Sequence, residues 1–492
     1  MGLEVIMNNG IILQGFEWYL PDDGNHYNRL KEMAKDLSSL GFTGIWLPPF
    51  CKATGTNDVG YGIYDLYDLG EFEQKGSVRT KYGTKEELLE LIEVFHENGI
   101  AVYGDIILNH KAGADEEELF KAVKVDEMNR NNPLGEPHDI KGWTKFTFPG
   151  RKGKYSEFIW GFQHFSGVDY DSLNDEKGVF KILGYEKDWE KGVSLEKGNY
   201  DYLMFADIDH NNPDVREELF TWGNWIVDQL DLDGMRFDAL KHIDEKFIVD
   251  FMDSIRNKEG IKKDFYFFGE FWLYEPNTMN GYLYDTRYDM DLFDVGLHYN
   301  MVQASKNPEY DIRQIFDNTL VKEHPAIAVT FVDNHDSQPG QALESFVDEW
   351  FKKIAYGIIL LYKDGYPTVF WGDYMGMGEP INSQGHRDMI ENLLYIRRNF
   401  AYGDQDMYYE SDKLIGWVRH GDEEHPKKLA VLISTGDMNG IRMFVGKEEA
   451  GKIYKEYTGD NSKEIKIDQD GFGNFEVGPG TITCWSEKNE ER

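Results

Sequence analysis

The stretch "TKEELLELIEVFHENGIAVYGDIILNH", residues 84–110, changes its period once, and that change decides the fold. Up to Gly99 the apolar residues recur at helical spacing, with Thr84 as N-cap and Gly99 as C-cap. From Ala101 to Leu108 they form a short, nearly unbroken run of the kind a strand covered on both faces requires. The same helix-then-strand alternation runs through the first four hundred residues. Strands are expected at 11–16, 44–49, 101–108, 234–239, 265–270, 291–295, 327–333 and 367–370, and a second clear helix opens on Pro213 and runs to 230. Eight such units predict an α/β fold, a closed parallel (β/α)8 barrel, the TIM barrel.

Two regions depart from the alternation. Residues 110–210 are rich in Gly, Asn, Asp and aromatics with little helical periodicity, and read as an inserted, irregular domain B after the third strand. After about 400 the chain turns to short alternating segments such as "KLIGWVRH" and "KLAVLIST", which read as an all-β sandwich. The expected division is a barrel of 1–109 and 211–399, domain B at 110–210, and a C-terminal domain at 400–492. The charged end "SEKNEER" is expected to fray.

The 492 residues carry 89 Asp and Glu against 52 Lys and Arg, a formal charge of -37. That surplus excludes nucleic acid and anionic membranes as partners and favours a neutral substrate. Only Cys51 and Cys484 are present, so neither a disulfide framework nor a cysteine metal site is expected. The sequence shows neither a signal-peptide pattern nor a long apolar span, which makes a soluble cytoplasmic protein the expectation, or a secreted one if a leader was removed. A monomer is expected.

In such a barrel the reacting groups sit at the carboxyl ends of strands. The third strand closes on Asp105, Asn109 and His110. The fourth closes on Arg236 and Asp238, two apart and on one face, followed by Lys241 and His242. The fifth ends at Glu270, and the seventh at His335 and Asp336. Taken singly, each acid is as well read as a helix cap, and Arg236 as half of an ion pair. Together they match glycoside hydrolysis, which needs a proton for the leaving oxygen and an ionised carboxylate for the anomeric carbon. Arg236 beside Asp238 suits a nucleophile, whereas Glu270, crowded by two carboxylates, suits the general acid/base. Asp336, His110 and His335 would hold sugar hydroxyls.

The motifs "DIILNH", "GMRFDALKH", "GEFW" and "FVDNHD" resemble the four motif regions of the α-amylase family of glycoside hydrolases. With "LQGFEWY" and the stretch at 59–88, the chain resembles its bacterial liquefying and intracellular members. The resemblance implies a retaining, endo-acting hydrolase of α-1,4 bonds in starch, glycogen or maltodextrin. Asp238 would be the nucleophile, Glu270 the acid/base and Asp336 the third acid. Tyr61 would stack on the sugar at the cut, with His110, Arg236 and His335 around the same ring and Lys241 and His242 on the leaving-group side. Met235 and Phe237 depart from the family's usual apolar pair and should face away from substrate. Related transferases and debranching enzymes share these motifs, and a non-catalytic carbohydrate-binding protein would have lost an acid that this chain keeps.

One acidic window, "NYDYLMFADIDHNN" (199–212), reads from its residues as either half a metal cage or a solvated loop. The resemblance implies a Ca2+ there, held by Asn109, Asp201, Asp207 and the main-chain carbonyl of His242, all hard oxygen donors. Further metals found in liquefying relatives would lack anionic ligands at Ser166 and Asn211, with Asp188 as a remaining acid, so one calcium is expected.

Overall fold

The computed structural model describes residues 9–459 and 463–488. The first eight residues and the last four of the charged C-terminal segment lie outside them. Eight parallel strands close into a barrel: Ile12–Gln14, Gly44–Trp46, Ala101–Ile106, Gly234–Phe237, Tyr266–Gly269, Asp291–Phe293, Ala328–Phe331 and Tyr366–Phe370, each bonded to its neighbours in chain order and the first to the eighth. All eight expected strands are present, seven of them shorter by two or three residues because the apolar runs continue into buried loop ends where pairing has stopped, and the eighth longer by one.

The helices follow their local signals. In Lys85–Glu97 the Thr84 hydroxyl accepts from the Glu87 amide and the Glu87 carboxylate accepts from the Thr84 amide, a reciprocal capping box. Asn98 is the cap and Gly99, at φ 71°, is the left-handed residue after it. Pro213–Leu230 opens on its proline with Asn212 as the cap.

Between the third and fourth barrel strands lies a six-stranded antiparallel sheet, running from His110–Lys111 to Ala206–Ile208. No strand was expected there. The reason is visible in Glu116–Val125 and His138–Lys145, whose outer faces carry the cross-strand pairs Glu116–Lys145, Glu117–Lys141 and Lys121–Asp139. One face of this sheet is water-exposed, so charged residues interrupt the apolar pattern.

The C-terminal sheet alternates cleanly. Leu429, Val431 and Ile433 point into the core shared with the barrel, while Ala430 and Leu432 join Trp485 and Phe475 beneath the two-stranded sheet of Asn439–Phe444 and Phe472–Val477. The Trp417 indole donates to the Leu361 carbonyl at 3.1 Å and ties the sandwich to the barrel.

Candidate active site

Register explains why the acids meet. Arg236 pairs with Asp105 on the third strand and Phe268 on the fifth, so its side chain enters the barrel level with Asp105 and one step below Glu270. The fully buried guanidinium donates through Nη1 to Asp105 at 2.8 Å and Asp238 at 2.7 Å, and through Nη2 to Glu270. Its plane lies over the Trp46 ring at 4.8 Å. Asp105 also accepts from Trp46 at 3.0 Å and from the Tyr61 hydroxyl at 2.8 Å. Met235 and Phe237 alternate with these groups and point outward, Phe237 packing against Phe251 and Phe267. Directly after Asp238 the chain bends through Ala239 at φ 54°, a left-handed position that a Cβ makes unfavourable by about 1 kcal/mol. The bend lets the Leu240 amide reach the Glu270 carbonyl, which fixes the fourth strand end against the fifth.

Above these groups opens a cavity of about 700 Å³, walled by Trp18, Tyr61, His110, Trp272, Lys241 and His242, with Asp238, Glu270 and Asp336 at its floor. Tyr61 lies parallel to the rings of His335 and Trp18, with centroids at 5.0 and 6.0 Å. His110 donates from Nε2 to the Tyr61 carbonyl at 2.8 Å. Lys241 pairs with Glu196 at 2.8 Å, and His242 is bonded to the Tyr200 carbonyl at 2.6 Å.

Two of the residues expected around the sugar are fully buried and do not line the cavity, Arg236 beneath the carboxylates it holds and His335 behind Tyr61. An arginine with three carboxylates to join is drawn below the floor, where water cannot screen the pairs.

Burial, more than crowding, divides the acids. It lifts Glu270 to about 8, against the Arg236 charge and with help from Asp238, Asp336 and Asp105. It raises Asp336 to about 7, aided by Asp238, and Asp105 to about 6, against Arg236. Glu270 therefore keeps its proton at neutral pH. Burial also lowers His110, takes His335 well below the imidazole range and brings His242 to about 3, so all three are neutral.

The second cluster lies where the inserted sheet meets the barrel. Asp207 pairs across the sheet with His110, which brings it beside Asn109. The Asn109 Oδ1 and Asp207 Oδ1 atoms are buried and have no hydrogen-bond donor. Asp201 accepts from the Glu190 amide at 3.0 Å, and Asp207 from the Ser166 hydroxyl. Burial and carboxylate repulsion push Asp201 and Asp207 well above the usual range. Among the described residues neither has an ion pair, and no three His, Cys, Asp or Glu side chains form a metal cluster. Two carboxylates with a bare amide oxygen fit a hard cation that also takes neutral oxygens. Elsewhere in the cluster a protein cation is in place: Lys187 donates to Asp209 and to the Phe165 carbonyl, both at 2.8 Å. Asp188 is turned to the surface, paired with Lys181.

Sequence reasoning named Asp105 at its strand end without a role, and missed Trp18, Trp46, Trp272 and Gln14. The aromatic-rich "GFEWY" after the first strand was the available signal for Trp18.

Residues 30–423 match the model of the α-amylase catalytic domain and 429–486 that of the α-amylase C-terminal domain. The chain is 47% identical to the glucan 1,4-α-maltohexaosidase of Bacillus sp. (strain 707), over 98% of this chain and 93% of that one. It is 45% identical to the α-amylase of Bacillus licheniformis (98% and 94%) and 37% identical to the cytoplasmic α-amylase of Escherichia coli K12 (97% and 99%). An Anoxybacillus α-amylase crystal structure shares the fold at a TM-score of 0.67 and 16% identity, covering 99% of both chains. With the barrel, the sandwich and the acids at the barrel mouth, these matches show that the chain belongs to the α-amylase family of glycoside hydrolases.

Proposed function

We propose that the enzyme cuts internal α-1,4 bonds of starch, glycogen or maltodextrin by a retaining double displacement. The observation that carries this reading is the single guanidinium of Arg236, which joins Asp238 and Glu270 at the cavity floor and so keeps the two carboxyls close. Retention needs that closeness, because the nucleophile itself, with no intervening water, attacks the sugar.

Asp238 attacks the anomeric carbon as the Glu270 proton passes to the leaving oxygen. Glu270, now a carboxylate, then takes a proton from the water that releases the glycosyl group. Asp336 stabilises the positive charge on the ring. Tyr61 offers the flat apolar face on which a sugar stacks, with His110 beside it, and Lys241 and His242 receive the leaving portion. Neutral glucan suits a chain of this negative charge.

Ca2+ is the cation we assign to Asn109, Asp201, Asp207 and the His242 carbonyl, where it would supply the missing positive charge and tie the inserted sheet to the barrel. Lys187, whose ammonium already serves Asp209, supports one ion per chain, as does the lack of acids at Ser166 and Asn211. We place the enzyme in the cytoplasm, as the name of the Escherichia coli relative states for that protein, and as a monomer. No helix among the described residues is long and apolar enough to cross a membrane.

The test is the product pattern on amylose, followed by proton NMR from the first turnover. Mixed oligosaccharides released as α-anomers are expected. Initial β-anomer would overturn the double displacement, and lengthened or cyclic glucans in place of shorter ones would point to transfer.

A further inference from the structure

Gln14 ends the first barrel strand inside "LQGF", a motif to which no role attaches, and its side chain is fully buried. Its Nε2 lies 3.0 Å from Nδ1 of His335, beyond the end of the seventh strand. Only the eighth strand lies between the two in the barrel, so the bond bridges that strand's end. The imidazole cannot turn to look for another partner. Tyr61 and Trp18 lie parallel to it, and Phe16 and Trp46 close its other sides at 5.1 and 5.7 Å.

We infer that Gln14 is a positioning residue that fixes the proton of His335 on Nε2, by donating its carboxamide N–H to Nδ1. The inference rests on the catalytic reading above and assigns it a further residue. The direction follows from the other side of the ring. Nε2 has no hydrogen-bond partner and faces the Asp336 Oδ2 at 3.3 Å. Once ionised, as it is above about pH 7, that carboxylate can only accept, so Nε2 must then carry the hydrogen. A neutral imidazole has one N–H, which leaves a lone pair on Nδ1, and only the NH2 end of an amide can meet a lone pair. Turning the amide over would set a second lone pair against Asp336. The orientation kept instead leaves the Gln14 Oε1 buried without a partner, a smaller penalty than a nitrogen lone pair against a carboxylate.

Burial and the Arg236 charge, which hold His335 well below the imidazole range, agree with a neutral ring. The neutral tautomer matters for the proposed reaction. Asp336 is there to face a sugar ring that becomes positive. An imidazolium beside it would cancel that field, whereas a neutral N–H orients Asp336 or a sugar hydroxyl without adding charge.

Neutron diffraction from deuterated crystals of the wild-type enzyme reads the proton directly. A deuteron on Nε2 and none on Nδ1 is expected, and a deuteron on Nδ1, alone or with one on Nε2, would overturn the inference without any variant having to fold. Gln14→Leu removes the donor at similar size, and Gln14→Glu replaces it with an acceptor that draws the proton to Nδ1. With melting temperatures near wild type, both should lower kcat by about tenfold or more while KM stays within about threefold. Unchanged kcat in both would remove the positioning role. Failure of the catalytic reading would show elsewhere, as turnover surviving in Glu270→Gln, and would leave the neutron result standing.

Discussion

Two clusters of buried carboxylates share the third barrel strand and its continuation: Asp105 enters the cleft and Asn109, four residues on, enters the junction with the inserted sheet. In the cleft, Arg236 bonds three of the acids and a fourth, Asp336, stands near. At the junction Asp201 and Asp207 are as deeply buried, yet among the described residues no side-chain cation meets either. The difference separates two uses of buried charge. A cluster that carries its own cation holds a surplus of negative charge short of full compensation, and so retains a proton on Glu270 that can be given away. A cluster with bare oxygens and no side-chain cation of its own suits the calcium proposed above, whose binding would then be coupled to the fold.

The largest effect separates the clusters by function. Glu270→Gln keeps the shape and the Arg236 contact but removes the transferable proton, so turnover on soluble starch should fall by about a thousandfold or more. Calorimetry should still detect maltooligosaccharide binding, because Tyr61 and the cavity walls are untouched. Near-normal rates would break the assignment of the acid.

Next is the junction, where the loss should be of stability. Removing calcium with a chelator should lower the melting temperature by roughly 3 °C for an ion held at about a hundred times its dissociation constant. Asp207→Asn should melt lower from the start and respond little to the chelator. A wild-type melting curve indifferent to chelation would leave the two orphaned oxygens unexplained, and calorimetry counting several tight calcium ions would contradict the single-ion reading.

How far these clusters were legible in the sequence follows from the same physics. Barrel strands are covered on both faces, so they read as apolar runs, and a polar residue closing such a run marks the mouth: this exposed Asp238, Glu270 and Asp336. The inserted sheet was invisible because pairs such as Glu116–Lys145 occupy its wet face and break the alternation. Gln14 was hidden for another reason. An uncharged residue inside an apolar strand carries no signal until the fold places His335 opposite it. Asn109, Asp201 and Asp207 lie on segments nearly a hundred residues apart, and only the resemblance to a family joined them.

The smallest expected effect is on pH dependence, and it distinguishes a charge held inside from one supplied by solvent. Glu270 titrates at about 8 in the folded enzyme against 4.5 for the ordinary side chain. Between those values the native state binds a proton that the unfolded chain has lost. The stability contributed by this group is therefore complete below 4.5 and declines as pH rises through about 8. Replacing Glu270 with Gln abolishes the titration, so the variant should gain melting temperature relative to wild type as pH rises from 5 to 8, by a few degrees at most, and level off above. Over the same alkaline limb wild-type kcat/KM should fall as the acid loses its proton, an apparent pKa shared among the coupled carboxylates. Repeating the series after chelation sharpens the comparison. Both curves should shift down together with their difference preserved, because the proton belongs to the cleft and the cation to the junction. A stability difference independent of pH would mean that Glu270 carries no retained proton, and one that vanished with calcium would mean that the two clusters act as one.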